Sequence, residues 1–266
     1  MVKLTDSKIE VQDTSEVIYA DAHSHLVPNW FELKEIEEIV TKARKVGVKV
    51  IVNSVLESEH YDFGLKTLKN KGVFLTTGIE ITKISKSLVD DLKTFFHQNE
   101  KNIVAIGEIG LDFHWVKDEE KQKKQEYFFK DLITFSQKSD IPIVIHSREA
   151  EARAIKILKE SGAENVLMHC FDGTNQQVLE ILAMDWYITV PTSTVYRKNF
   201  QKIIQAVSLD NLMFETDSPF HSLQKGEKNN PSSIPILCKH AAKILEIDEK
   251  ELARITTKNT RDFYRI

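Results

Sequence analysis

Four histidines and two carboxylates stand at the ends of short apolar runs in this sequence. His23 and His25 fall in DAHSHL, Glu108 in NIVAIGEIGLDFHW, His146 in IVIHSR, His169 in LMHCF and Asp217 in ETDSPF. In an extended segment residues two apart point the same way, so His23 and His25 can grip one ion together. Imidazole with carboxylate is the ligand set of catalytic zinc or manganese sites, and six such side chains can hold two ions if one carboxylate bridges. Glu108, midway through the set, is the natural bridge. A lone histidine at a strand end is more often packed or hydrogen-bonded than metal-bound. Yet the chain has nine histidines, and four of them close three of its expected strands, which coincidence explains poorly. His60, His97 and His240 read as surface or packing residues, whereas His114 and His221 follow ligand segments closely enough to touch substrate. Asp112, four residues past Glu108, reads as a carboxylate that orients a ligand or caps the next helix. Cys170 reads as a small core residue.

These side chains need a scaffold that brings strand ends to one place. Apolar, β-branched-rich runs occur at about 17–22, 48–55, 72–79, 102–107, 141–146, 164–170, 186–191 and 210–217. They are continuous rather than alternating, as strands buried on both faces should be. Helical patterns lie between them. Leu33, Ile36, Ile39, Val40, Ala43 and Val46 recur at helical spacing before Gly47, and weaker patterns cover about 85–97, 123–139, 149–161, 175–184, 198–207 and 233–246. Eight such alternations predict an α/β fold of (β/α)8 TIM-barrel type, in which chemistry sits at the C-terminal ends of the strands. A doubly wound open sheet shares the alternation, but no GxGxxG or Walker loop follows any strand. The longest polar loop, HSLQKGEKNNPSS, follows the eighth run and would overhang the active face.

At 266 residues the chain fits one large domain, expected over 17–266, with residues 1–16 as a polar tail or edge strand. A net charge of −4 supplies no general basic field, so any polyanion must be held locally. Cys170 and Cys238 show no CxxC spacing, and no signal peptide or long apolar run appears, which points to a cytoplasmic protein without membrane association. The expected state is a monomer or weak oligomer.

Taken together, these segments resemble the TatD-type metal-dependent deoxyribonucleases, within the amidohydrolase-like barrels. DAHSHL is similar to the family's HxH opening, GEIGLDF to its Glu motif, PIVIHSREA to its H-x-R-x-A segment, HCFDG to its HCF-x-G segment and ETDSPF to its ETDSP signature. The match runs in order from about Ala20 to Phe263, and TTKNTRDFY resembles the family's C-terminal helix. The resemblance implies two divalent ions (Zn, Mn or Mg), one held by His23, His25, Glu108 and Asp217 and the other by Glu108, His146 and His169. It also implies a DNA substrate, cleaved at phosphodiester bonds, often from the 3′ end of single strands.

Three places depart from the family pattern. TTGIEITK puts Glu80 and Ile81 where G-x-H-P is usual, so a basic or neutral substrate contact has become acidic. GEKNNPSS sets Lys228 and Asn229 where an Arg-Asn pair is common, and Asp172 stands where serine is common. Asp217, the ligand carboxylate not expected to bridge, is the expected proton carrier, with Glu108 the other catalytic carboxylate. Arg148, two residues beyond His146, is placed either to fork onto a phosphate or to form a salt bridge. Tyr196, Arg197 and Lys198 suit a nucleic-acid strand or a helix start. Two rivals share the barrel: an ester or amide hydrolase such as a D-aminoacyl-tRNA deacylase, and a non-catalytic scaffold, which the intact ligand set disfavours.

Overall fold

The computed structural model describes residues 16–224 and 226–266. The expected tail or edge strand over residues 1–16 lies, apart from Glu16, outside the described residues. Eight strands follow one another in a single parallel sheet: β1 (Tyr19–Ser24), β2 (Val48–Val55), β3 (Val73–Thr77), β4 (Ile103–Asp112), β5 (Ile143–Arg148), β6 (Val166–Met168), β7 (Tyr187–Pro191) and β8 (Leu212–Glu215). The chain just past β8 closes the ring onto β1: Asp217 N–H donates to His23 O at 3.0 Å and His25 N–H to Ser218 O at 2.7 Å. This is a TIM barrel.

Helices cover the outside: α1 (Leu33–Lys45), α2 (Tyr61–Thr67), α3 (Lys86–Asn99), α4 (Glu119–Lys138), α5 (Glu151–Glu160), α6 (Asn175–Leu182), α7 (Lys198–Ala206), α8 (Ile234–Leu245) and α9 (Glu249–Tyr264). Their buried stripes follow the helical period. In α1, Ile36, Val40 and Ala43 face the sheet, and Glu32 and Glu35 form a capping box at its start. Outward-pointing strand residues such as Ile51, Ile143 and Ile145 complete this outer core. Inside the barrel a second core gathers Ala22, Val52, Ala105, Val144, Leu167 and Met213, with Phe263 and Tyr264 of α9 against it. The Tyr264 hydroxyl donates to Ala22 O at 2.9 Å.

Side-chain direction alternates along a strand, so this inner core fixes what faces the barrel mouth. His146 lies two residues past Val144, His169 two past Leu167, and Glu215 and Asp217 two and four past Met213. The inward face that is apolar low in the barrel thus becomes ionisable at the top.

Two expectations need correction. The fourth run, expected to end near 107, continues to Asp112, so Glu108 and Asp112 lie within β4 and not past it. Its extension pairs with β5 as far as Asp112 opposite Arg148, with a register shift around Glu108. The helix α2 was not expected, because its buried residues Tyr61, Gly64 and Thr67 make no apolar stripe. No helix among the described residues is long and apolar enough to cross a membrane.

Candidate metal centre

The two oxygens of Glu108 face two different sets of donors. On one side, Oε1 lies 2.9 Å from His23 Nε2 and 3.0 Å from His25 Nε2. Asp217 Oδ1 completes this group, 3.2 Å from His25 Nε2 and 3.8 Å from His23 Nε2. On the other side, Oε2 lies 3.3 Å from His146 Nδ1 and 3.1 Å from His169 Nε2. Two elements make this approach feasible. Gly78, after β3, lies so close to β4 that a Cβ on it would fall 2.2 Å from Glu108 N, and a Cβ on Gly110 would fall 2.0 Å from His146 O.

Partners behind the rings set which nitrogen faces inward. His25 Nδ1 lies 3.1 Å from Ser54 O, so it carries a proton and leaves Nε2 facing the carboxylates. Asp112 Oδ2 lies 3.0 Å from His146 Nε2 while its Oδ1 accepts the Trp115 N–H at 2.7 Å, leaving His146 Nδ1 toward Glu108. Glu215, fully buried beneath the site, lies 3.6 Å from His169 Nδ1. Far-side partners of this kind are typical of metal-binding imidazoles.

Lone pairs and carboxylate oxygens crowded this closely need positive charge among them. Asp217 Oδ1 is buried without a hydrogen bond, although it faces a ring nitrogen. Burial opposes charge on His25, but the Asp217 and Glu108 carboxylates facing Nε2 overcome it and raise the imidazole to about 10. His146 is similarly opposed by burial and raised by Asp112 and Glu108 to about 9. Glu108 is held well below the ordinary carboxylate range despite its burial, chiefly by His169 and His146. Such a donor set fits divalent cations, and His23, His25, Glu108, His169 and Asp217 include groups close enough to hold one.

Above the donors opens a cavity of about 790 Å³, rimmed by Glu80, His114, Trp115, Arg148, Glu149, Asp172, Arg197, Phe220 and His221. Arg148 is exposed at this rim with its guanidinium 5.5 Å from the centre of the Trp115 ring. His114 lines the cavity through an ion pair, its Nδ1 2.6 Å from Glu149 Oε1, with Lys117 on the other oxygen at 2.8 Å. Glu80 accepts from the Thr82 N–H and hydroxyl at 3.2 and 2.8 Å. Lys83, a basic neighbour of Glu80 in the chain, is bound to Glu57 at 3.1 Å.

Lys228 is turned away from the rim: its ammonium donates to Trp30 O at 2.6 Å and lies over Phe31. Neighbouring Asn229 is buried and donates to Thr192 Oγ1 and Thr216 O, so this pair fastens the loop after β8. Arg197 lines the cavity held by Asp172 at 2.9 Å, and Lys198 begins α7. Trp115, Glu149 and Phe220 were missed because loop geometry alone brings them to the rim.

The family model described as TatD related DNase matches residues 20–265. The chain belongs to this family. An uncharacterized metal-dependent hydrolase of Methanocaldococcus jannaschii is 30% identical over 252 residues, covering 94% of this chain and 98% of that protein. Deoxyribonuclease TATDN3 of Homo sapiens is 27% identical, covering 90% and 92% respectively. Among solved structures, the TatD homolog YJJV from Escherichia coli superposes with a TM-score of 0.86 at 22% identity, over 95% of this chain and all of that one. This TatD-family chain is therefore a metal-dependent hydrolase, with its barrel presenting the donor set at the mouth.

Proposed function

We propose that this TatD-family protein hydrolyses phosphodiester bonds in DNA, acting as an exonuclease on single strands with two divalent ions. The observation that carries the reading is the division of Glu108, whose Oε1 faces His23, His25 and Asp217 and whose Oε2 faces His146 and His169. Bound there, zinc, manganese or magnesium would lower the pKa of water and offset charge on the phosphoryl oxygens. Asp217 directs Oδ1 at His25, and its Oδ2, 3.7 Å from His221 Nε2, takes a proton from water and returns it to the leaving oxygen. Arg148 matches phosphate with its fork, and Trp115, 66% exposed beside it, offers a face on which an unstacked base can lie. His114 orders the Glu149 loop at the same edge. The deoxyribonuclease name of the human relative supports the choice of substrate.

Glu80 favours a second reading. It lines the cavity while Lys83 is engaged elsewhere, and a carboxylate there suits the ammonium of an aminoacyl ester better than a phosphate. The test is one panel: end-labelled single- and double-stranded DNA, RNA and D-aminoacyl-tRNA, each with magnesium, manganese or zinc. Stepwise shortening of single-stranded DNA, abolished by chelator, is expected. Deacylation without DNA cleavage under any metal would replace the nuclease with the ester hydrolase.

A further inference from the structure

Cys170, Asp217 and His221 meet on the side of the cavity away from Glu108. His221 Nε2 lies 3.4 Å from Cys170 Sγ and 3.7 Å from Asp217 Oδ2, and one donor atom from each residue falls within 4.8 Å of the others. Cys170 and His221 belong to neither donor set around Glu108. With zinc–sulfur bonds of about 2.3 Å and zinc–nitrogen or –oxygen bonds of about 2.0 Å, a tetrahedral site has N–S and N–O edges of about 3.5 and 3.3 Å. The two separations from His221 lie within about 0.4 Å of these edges.

The ring is also held from behind. Ser193 Oγ lies 2.7 Å from His221 Nδ1, and the Thr192 hydroxyl donates to His221 O at 2.6 Å. When Nδ1 donates to Ser193, Nε2 presents its lone pair to the thiol and carboxylate, as metal-bound imidazoles do. All three residues have left-handed backbone, with φ of 43° at Cys170, 51° at Asp217 and 50° at His221. Asp140, Asp185, Glu246 and Arg265 share that conformation where helices end, but no helix end accounts for these three.

We propose that Cys170, Asp217 and His221 form a further cation site, selective for zinc-like borderline-soft divalent ions, whose occupancy withdraws Asp217 Oδ2 from proton transfer and inhibits hydrolysis. Binding replaces the thiol S–H bond with a metal–thiolate bond and releases one proton to solvent. Magnesium and manganese prefer oxygen donors and leave the site empty. The inhibitory half rests on the role proposed for Asp217; the site itself does not.

Cobalt(II) titration of the full-length protein, followed by absorption, tests the site. Cobalt in the imidazole and carboxylate sites gives weak visible bands, whereas a thiolate ligand adds an intense near-ultraviolet charge-transfer band. That band is expected in the wild type and in C238S, absent in C170S with the visible bands kept, and shifted to at least ~10-fold higher cobalt in H221L. No such band at saturating cobalt, or one that persists in C170S, overturns the site. Added zinc should inhibit the manganese-loaded wild type more strongly than manganese-loaded C170S, and equal inhibition overturns the regulatory half. A wild-type thiolate band with no visible bands left in C170S would count against the dinuclear reading alone.

Discussion

Asp217 has two oxygens in different surroundings, Oδ1 beside His23 and His25 and Oδ2 beside His221, and the proposed proton transfer depends on that difference. Asp217→Asn keeps the shape and removes the base, so turnover should fall by at least ~100-fold while circular dichroism stays near wild type. Near wild-type turnover in the metal-loaded variant would remove Asp217 from the mechanism. Glu80 acts on binding instead. Repulsion of phosphate by a partly desolvated carboxylate can cost more than about 1 kcal/mol, so Glu80→His should raise kcat/KM on DNA by up to about tenfold. The gain should shrink at high salt, which screens the charge; a loss of DNA activity would favour the aminoacyl ester. The clustered donors were legible in the sequence because histidine is scarce and strand ends converge in a barrel. Rim contacts were not: Lys228 hydrogen-bonds behind Trp30 and Lys83 reaches Glu57, choices made by loop conformation rather than residue type.

At the scale of elements, β4 positions Glu108 through close backbone approach. Gly110 has φ of 143° and pairs with His146 of β5, so a methyl group there meets backbone that cannot give way. Gly110→Ala should destabilise the protein by more than about 1 kcal/mol and weaken metal affinity, measured by thermal melting and metal titration. Unchanged affinity in a folded variant would show that the spacing of β4 and β5 does not set the donor geometry. Apolar runs made all eight strands legible, since strands buried on both faces are rich in Val and Ile. Their ends were not, because β4 runs on through Gly107, Glu108 and Gly110, residues that look like a loop until β5 is beside them.

Across the whole molecule, the donors come from the first strand, the middle strands and the segment after the last, so cations would fasten the seam where the barrel closes. A ligand held only by the folded state adds about 2.7 kcal/mol at one hundred times its dissociation constant. Melting temperature should therefore rise with manganese or zinc concentration and fall on chelation, and a metal-independent melting temperature would contradict tight binding across the seam. The dinuclear arrangement around Glu108 is tested most directly by anomalous scattering from crystals reconstituted with manganese, which leaves the Cys170 site empty. Two peaks about 3.5–4 Å apart on opposite oxygens of Glu108 are predicted, one beside His23, His25 and Asp217 and one beside His146 and His169. A single peak at full reconstitution, with His146 and His169 free of metal, would contradict it.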